Sequence, residues 1–351
     1  SNYTLYGDMS NRVVQVLRKF TPNLEVYSID ESFLQIETVL KQHPDTIAFG
    51  KKIKQQVKDT TGLPVCVGIG ASKTLAKFAN HLAKKHQQFA GVCDVEAMPK
   101  PELYQWMSET AAAEVWGIGR QLAKKLKVLE IHTVFDLLQA SPQVMRQQFG
   151  VVMERLCYEL RGTSCLKLEE VSPAKQQIIA SRSFGKLVTK QEELAQSVAT
   201  HAARAAEKLR GQHSVTGALT VFIQTNPFKQ NEPQHHQSVT IPLVDPSDNT
   251  VTLTNAALKG LKQIYQSGFR YKKAGVILNL IADKPTVQQS LFEDMESKGK
   301  SADLMQAMDA INSRFGNAVI RLAASGTKQE WQMRSSNKSP NYTTRWDELP
   351  V

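Results

Sequence analysis

The chain has 351 residues, enough for two or more domains with sizeable cores. Lys and Arg outnumber Asp and Glu by 43 to 33, a net charge of +10, which favours a polyanionic partner, nucleic acid first. Cys66, Cys93, Cys157 and Cys165 lack paired metal-ligand spacing, no apolar run reaches membrane-spanning length and no secretory leader is visible, so a cytoplasmic protein without zinc or disulfide is expected.

Residues 8–20 read as a helix, stopped by Thr21-Pro22. Two short alternating runs follow, 24–29 and 33–36, rich in Val, Tyr, Ile and Phe, and both read as strands. Asp30 and Glu31 lie between them, at or near a hairpin tip. Strand neighbours point to opposite faces, but at a turn both can converge. Converging carboxylates repel unless a cation sits between them, and hard oxygen donors suit Mg²⁺. An acidic surface turn is the plain alternative.

A helix is expected from 45 to 60, a short apolar strand over 63–69, and a strong helix over 72–85. On that last helix Lys73, Lys77 and Lys84 fall within roughly 40° of one another, opposite Leu75, Phe78, Ala79 and Leu82. Gly68 and Gly70 allow close backbone approach, and Ser72 is placed to cap the helix. A lysine stripe beside a carboxylate pair suits a nucleoside triphosphate with its Mg²⁺; a solvated lysine face is the alternative.

Residues 96–165 read as mostly helical. Within them Gly117-Ile118-Gly119-Arg120 precedes a helix over 121–129, and two helices joined by Gly-Ile-Gly look like a helix-hairpin-helix. The turn leaves N–H groups facing outward beside the positive end of the next helix, a seat for one phosphate that reads backbone rather than base sequence. Arg120, Lys124 and Lys125 add charge; an ordinary glycine turn is the alternative. Residues 166–179 read as a linker. Strands and helices alternate from 180 to 282, with helices over 195–210 and 255–267 and a net +6. Residues 283–351 carry nine charges of each sign and read as a partly flexible tail. Within it Gln288, Leu291 and Phe292 form a Gln-x-x-Leu-Phe plug suited to a groove on another protein.

Together, the Ser-Ile-Asp-Glu hairpin, the Gly-Ile-Gly-Ala-Ser-Lys-Thr-Leu-Ala-Lys helix and the Gly-Ile-Gly turn, in this order, resemble the Y-family DNA polymerases, which copy damaged templates. The likeness covers nearly the whole chain, including 6–13, 181–185, 202–210 and 331–349. It implies a multidomain α+β right hand: an incomplete palm (1–95), a helical thumb (96–165), a linker (166–179), an α+β little finger (180–282) and a C-terminal tail (283–351). It implies error-prone translesion synthesis in the SOS response. Asp30 and Glu31 would be catalytic and hold two Mg²⁺, and Lys84, with Lys77 and Lys73, would meet the triphosphate. Gly117, Ile118, Gly119, Arg120, Lys124 and Arg182 would bind primer–template DNA. Gln288, Leu291 and Phe292 would dock on the sliding clamp, with a UmuD-type accessory subunit and the RecA filament as further partners. The family's palm opens with a strand carrying another metal-binding aspartate and an aromatic steric gate. No counterpart stands here, so the chain reads as beginning late in the palm, with apolar palm surface uncovered. The competing readings are a truncated, non-catalytic DNA- and clamp-binding fragment and, less completely, a helix-hairpin-helix repair enzyme.

Overall fold

The computed structural model describes residues 2–40, 44–169, 174–284, 295–316, 319–333 and 337–349. It divides into two compact units, residues 1–172 with 338–351, and residues 173–337.

In the first unit α1 (Tyr3–Leu17) starts earlier than its apolar period suggests. Asn2 explains this: its side chain accepts from the Leu5 N–H at 3.2 Å and donates to the carbonyl of Ser339 at 2.8 Å. β1 (Leu24–Val26) pairs antiparallel with β2 (Ser32–Leu34), Leu24 opposite Leu34. α2 (Glu37–Leu40) and α3 (Thr46–Thr61) follow, the latter capped by Asp45. Val14, Leu17, Leu24, Phe49, Ile53 and Val57 bury one small core between α1, the hairpin and α3.

β3 (Val67–Ile69) pairs in parallel with β4 (Val92–Asp94), and α4 (Lys73–Lys85) connects them. The expected 63–69 strand is cut to three residues: its one partner strand is no longer than that, and Pro64 has no N–H to give a ladder. The helical segment comprises α5 (Lys100–Glu109), α6 (Arg120–Val128), α7 (Val134–Gln139), α8 (Pro142–Phe149) and α9 (Val151–Leu160). The apolar face of α4 packs into it: Leu75, Phe78, Ala79 and Leu82 share one core with Met107, Leu126, Leu137 and Leu156. α4 and the helical segment therefore share one continuous core.

The second unit is a four-stranded antiparallel sheet in the order β5-β8-β6-β7. Its strands are β5 (Ile178–Val188), β6 (Ser214–Gln224), β7 (His236–Ser247) and β8 (Tyr271–Asp283). α10 (Gln191–Gly211) and α11 (Thr250–Ile264) pack on it. Leu194, Val198, Ala202, Ala205, Ala206 and Leu209 make the buried stripe of α10, whose alanines let the helix lie close to the strands. Part of the expected tail packs here too. α12 (Met295–Phe315) buries Met305 and pairs Asp309 with Arg210 at 2.6 Å. Trp331 is buried against Phe184 and accepts the Gly185 N–H on its carbonyl at 3.0 Å. Among the described residues no helix is long and apolar enough to cross a membrane.

His201 on α10 is 2 % exposed, its ring 5.9 Å from Trp331. Burial, with Arg204 and Arg182 nearby, pushes its pKa from 6.5 down to about 4. The folded chain holds it neutral, while the unfolded chain takes up a proton below pH 6.5. The resulting stability is complete above that pH and is lost as pH falls toward 4, on the order of 3 kcal/mol over the window. Melting temperature should therefore fall between pH 7 and 4.5, and His201→Gln should flatten that part of the profile; an unchanged slope in the variant contradicts this.

Candidate active site

Three-residue strands leave Tyr27 to Glu31 as the hairpin connection. The N–H groups of Tyr27 and Ser28 both donate to the Glu31 carbonyl, at 3.1 and 3.0 Å, and close the turn. Ser28 Oγ donates to Asp30 Oδ1 at 2.6 Å. Asp30 is exposed and Glu31 half-buried, side by side at the tip, where the alternating pattern places them.

α4 supplies the opposing charge. Lys77 pairs with Glu31, and Lys73 pairs with Glu25 of β1 and donates to the Lys167 carbonyl at 2.8 Å. Glu25 is only 6 % exposed and also accepts the Glu169 N–H at 2.7 Å. Lys84 is exposed, about 10 Å further along the helix axis than Lys77 at the usual rise. The structure thus brings Lys73 and Lys77 to the hairpin and leaves Lys84 beyond it.

The close approach that Gly68 and Gly70 permit is used. A Cβ on Gly68 would lie 2.1 Å from the Asn80 nitrogen, and one on Gly70 2.8 Å from the Ala76 nitrogen. Ser72 caps α4 by accepting the Leu75 N–H, and its hydroxyl donates to the Glu159 carbonyl at 2.6 Å. Glu159, fully buried on α9, accepts N–H bonds from Thr74 at 3.0 Å, Cys165 at 2.5 Å and Leu166 at 3.1 Å. Sequence reasoning missed this residue; its signal was a carboxylate within the apolar run of α9.

An aromatic cluster was missed as well. Tyr27 lies 5.7 Å from Phe33 and 5.4 Å from Trp116 between ring centroids, and Trp116 Nε1 donates to the Tyr27 hydroxyl at 3.1 Å. Lys73 stands over the Phe33 ring at 5.1 Å and Lys77 over Tyr27 at 5.9 Å. The signal was a Tyr just before Ser-Ile-Asp-Glu and a Trp just before Gly-Ile-Gly.

At the glycine turn Gly117 has φ +90° and Gly119 opens α6 with φ −82°. The element before it is a single 3₁₀ turn, Ala112–Glu114, where the sequence suggested a helix. Ile118 is buried and anchors the turn from below; Arg120, Lys124 and Lys125 are exposed along α6. The N–H groups of the first turn of a helix have no intrahelical acceptor, so those of α6 are open to an anion. Arg182 lies in the second unit, on the face that β5 turns to the helices, opposite buried Ala274. Gln288, Leu291 and Phe292 lie outside the described residues.

A groove of about 820 Å³ runs beside the hairpin, lined on one side by Phe33 and Leu34 and on the other by Val67 and Ile69, and reaching Asp30 and Glu31. β2 and β3 belong to separate two-stranded sheets. Most of the groove lining is apolar, with Ile36 and Val65 continuing it. Two carboxylates beside a lysine pair fit one Mg²⁺ completed by substrate phosphates. Among the described residues no three ligating side chains cluster, so a second ion would need a carboxylate from elsewhere.

The chain is similar to known proteins along nearly its whole length. The impB/mucB/samB family model matches residues 1–81, its C-terminal domain model residues 175–291, and a domain of unknown function, DUF4113, residues 302–351. The chain is 43 % identical to protein UmuC of Salmonella typhimurium over 350 residues, 99 % of this chain and 82 % of that protein. It is 41 % identical to protein SamB of Salmonella typhimurium over 351 residues, 100 % of this chain and 82 % of that one. The fold is similar to a solved Y-family DNA polymerase chimera of Dbh and Dpo4, with a TM-score of 0.59 at 19 % identity, covering 80 % of this chain and 77 % of that one.

The two glycines of the turn differ in what they tolerate. Gly117 occupies left-handed backbone, where an alanine costs about 1–2 kcal/mol; Gly119 has ordinary φ and open space where an added methyl would go. Gly117→Ala should lower the melting temperature and Gly119→Ala should leave it nearly unchanged; equal effects contradict the turn geometry.

Proposed function

The chain belongs to the impB/mucB/samB family of UmuC-like, error-prone translesion DNA polymerases, and we propose that Asp30, Glu31, Lys77 and the Gly117 turn divide the work of nucleotidyl transfer. The observation that carries this reading is the adjacent carboxylate pair at a hairpin tip, with a charge-paired lysine from α4 beside it.

Asp30 and Glu31 would hold Mg²⁺, which when bound activates the primer 3′-hydroxyl and offsets charge on the leaving pyrophosphate. Lys77 balances Glu31 in the ligand-free chain. A triphosphate arriving with its own cation offers Lys77 a second anion at the same place, so the lysine can move from carboxylate to phosphate without losing a partner. Lys73, tied to Glu25 and the Lys167 carbonyl, holds the strand and α4 together beneath that exchange. Lys84 faces solvent further along and would meet only the outer end of a long anion. The N–H groups of Gly119 and of the first turn of α6, with Arg120 and Lys124, would grip the DNA backbone without reading bases, as a polymerase that copies any template requires; the Ile118 N–H instead donates to the Val115 carbonyl at 3.0 Å and holds the turn. Arg182, on the helix side of the second unit's sheet, would add a phosphate contact at its rim.

A further carboxylate beside Asp30 and Glu31 would complete a two-ion site. Gln288, Leu291 and Phe292 would plug a groove on the sliding clamp, a reading that rests on their spacing alone. A UmuD-type subunit and the RecA filament would be its regulatory partners, and the cytoplasm its compartment.

Asp30→Asn or Glu31→Gln should reduce Mg²⁺-dependent primer extension by at least about 100-fold while leaving primer–template affinity, measured without divalent cation, within about twofold, because a metal carboxylate acts on the transition state more than on DNA binding itself. Extension near the unsubstituted rate in either variant rejects the catalytic assignment. DNA binding without extension in the unsubstituted chain favours a non-catalytic binding module.

A further inference from the structure

Two parts of the proposed machinery touch through side chains that the chemistry does not use. Tyr27 belongs to the carboxylate turn: its own N–H donates to the carbonyl of Glu31 at 3.1 Å. Trp116 is the residue before Gly117, whose φ of +90° sets the glycine turn. The two side chains meet edge-on at 5.4 Å, and Trp116 Nε1 donates to the Tyr27 hydroxyl at 3.1 Å. Phe33, on the strand that leaves the hairpin, lies 5.7 Å from each ring and is itself buried. Three aromatic rings thus join the hairpin connection and β2 to the loop before α6.

The same rings face the lysines. Lys77 Nζ stands 5.9 Å from the Tyr27 ring centre while pairing with Glu31. Lys73 Nζ stands 5.1 Å from the Phe33 ring while pairing with Glu25. The face of an aromatic ring attracts a cation without neutralising it. Lys77 can therefore leave Glu31 and stay near the hairpin, still charged.

We infer that Tyr27 and Trp116 are positioning residues: they form an aromatic clasp that couples occupancy of the Gly117 phosphate seat to the orientation of Asp30 and Glu31. The inference deepens the proposed function and rests on its two binding sites. A phosphate drawn onto the amides of Gly119 and the first turn of α6 fixes the chain there and, through the Ile118 N–H bonded to the Val115 carbonyl at 3.0 Å, the adjoining Trp116 ring. The hydrogen bond and ring contact fix Tyr27 in turn, and Tyr27 is one end of the turn whose other end is Glu31. DNA then favours the hairpin conformation that holds a cation, and a cation there favours DNA, by the same factor in both directions.

Mn²⁺ stands in for Mg²⁺ because its free ion is read directly by electron paramagnetic resonance. Its dissociation constant is measured on the full chain with and without a primer–template duplex. DNA should tighten Mn²⁺ binding about tenfold, within the usual range of coupling. Trp116→Ala and Tyr27→Ala should bring that factor close to one, with each site's separate affinity changed far less. Trp116→Phe and Tyr27→Phe keep a ring and lose only the hydrogen bond, so they should recover part of the factor. Melting curves identify any variant that fails to fold, and the two phenylalanine variants then decide the question. An undiminished factor in folded variants of both residues overturns the clasp, and so does a factor of one in the unsubstituted chain. The double variant Asp30→Asn with Glu31→Gln separates this from failure of the underlying reading. If it loses Mn²⁺ binding, the site stands and the clasp is judged on its own. If it binds Mn²⁺ unchanged, the cation site is elsewhere and the proposal falls with it.

Discussion

The backbone of β3 runs so close to the backbone of α4 that no side chain fits between them at Gly68, where even a methyl carbon would lie 2.1 Å from the Asn80 nitrogen. Most of the site geometry follows from this contact. It fixes α4 in height and rotation over its strand. The apolar face of α4 is fixed a second time by the core it shares with the helical segment. Glu159 fixes its first turn by accepting the Thr74 N–H from full burial. A helix held at three places presents its remaining face without freedom, and that face carries Lys73 and Lys77. The hairpin is then set by charge, Glu25 to Lys73 and Glu31 to Lys77.

These two ion pairs differ in kind. Lys73 and Glu25 are mostly shielded from water, and each has a backbone partner besides the other, so the pair acts as a fixed joint. Removing one partner would leave a buried charge uncompensated. Lys77 and Glu31 are more open, with side-chain exposures of 20 % and 36 %. Pairs in such surroundings contribute little to stability, commonly about 1 kcal/mol or less. That weakness suits exchange: a cation and a phosphate can part Lys77 from Glu31 at small cost, while the joint beneath stays closed.

Much of this was legible in the sequence because it follows local rules. The Asp-Glu tip followed from strand alternation on either side, the capped lysine helix from Ser72 and the period of Leu75, Phe78 and Leu82, and the close packing from Gly68 and Gly70. The rest needed contacts distant in sequence. Lys84 shares a helical face with Lys77, but a helical wheel has no axial coordinate and does not show that the two stand about 10 Å apart along α4. Nothing near Glu159 announces the three N–H groups it receives, two of them from the loop after its own helix and one from α4. Tyr27 and Trp116 are 89 residues apart and meet only because α4 shares its core with the helical segment. The packing of α12 and Trp331 on the second unit was hidden by their charged surroundings, since a few buried side chains such as Met305 and Trp331 suffice to seat a mostly polar segment.

In the proposed mechanism Glu31 exchanges Lys77 for a cation while Lys77 passes to the triphosphate. A crystal structure of the chain with primer–template DNA, an incoming deoxynucleoside triphosphate and Ca²⁺, which supports binding in place of Mg²⁺, tests it directly. A cation should then lie between the carboxylates of Asp30 and Glu31 and the triphosphate, with Lys77 Nζ on a phosphate oxygen. An intact Lys77–Glu31 pair, with the cation and triphosphate bound elsewhere, would contradict it.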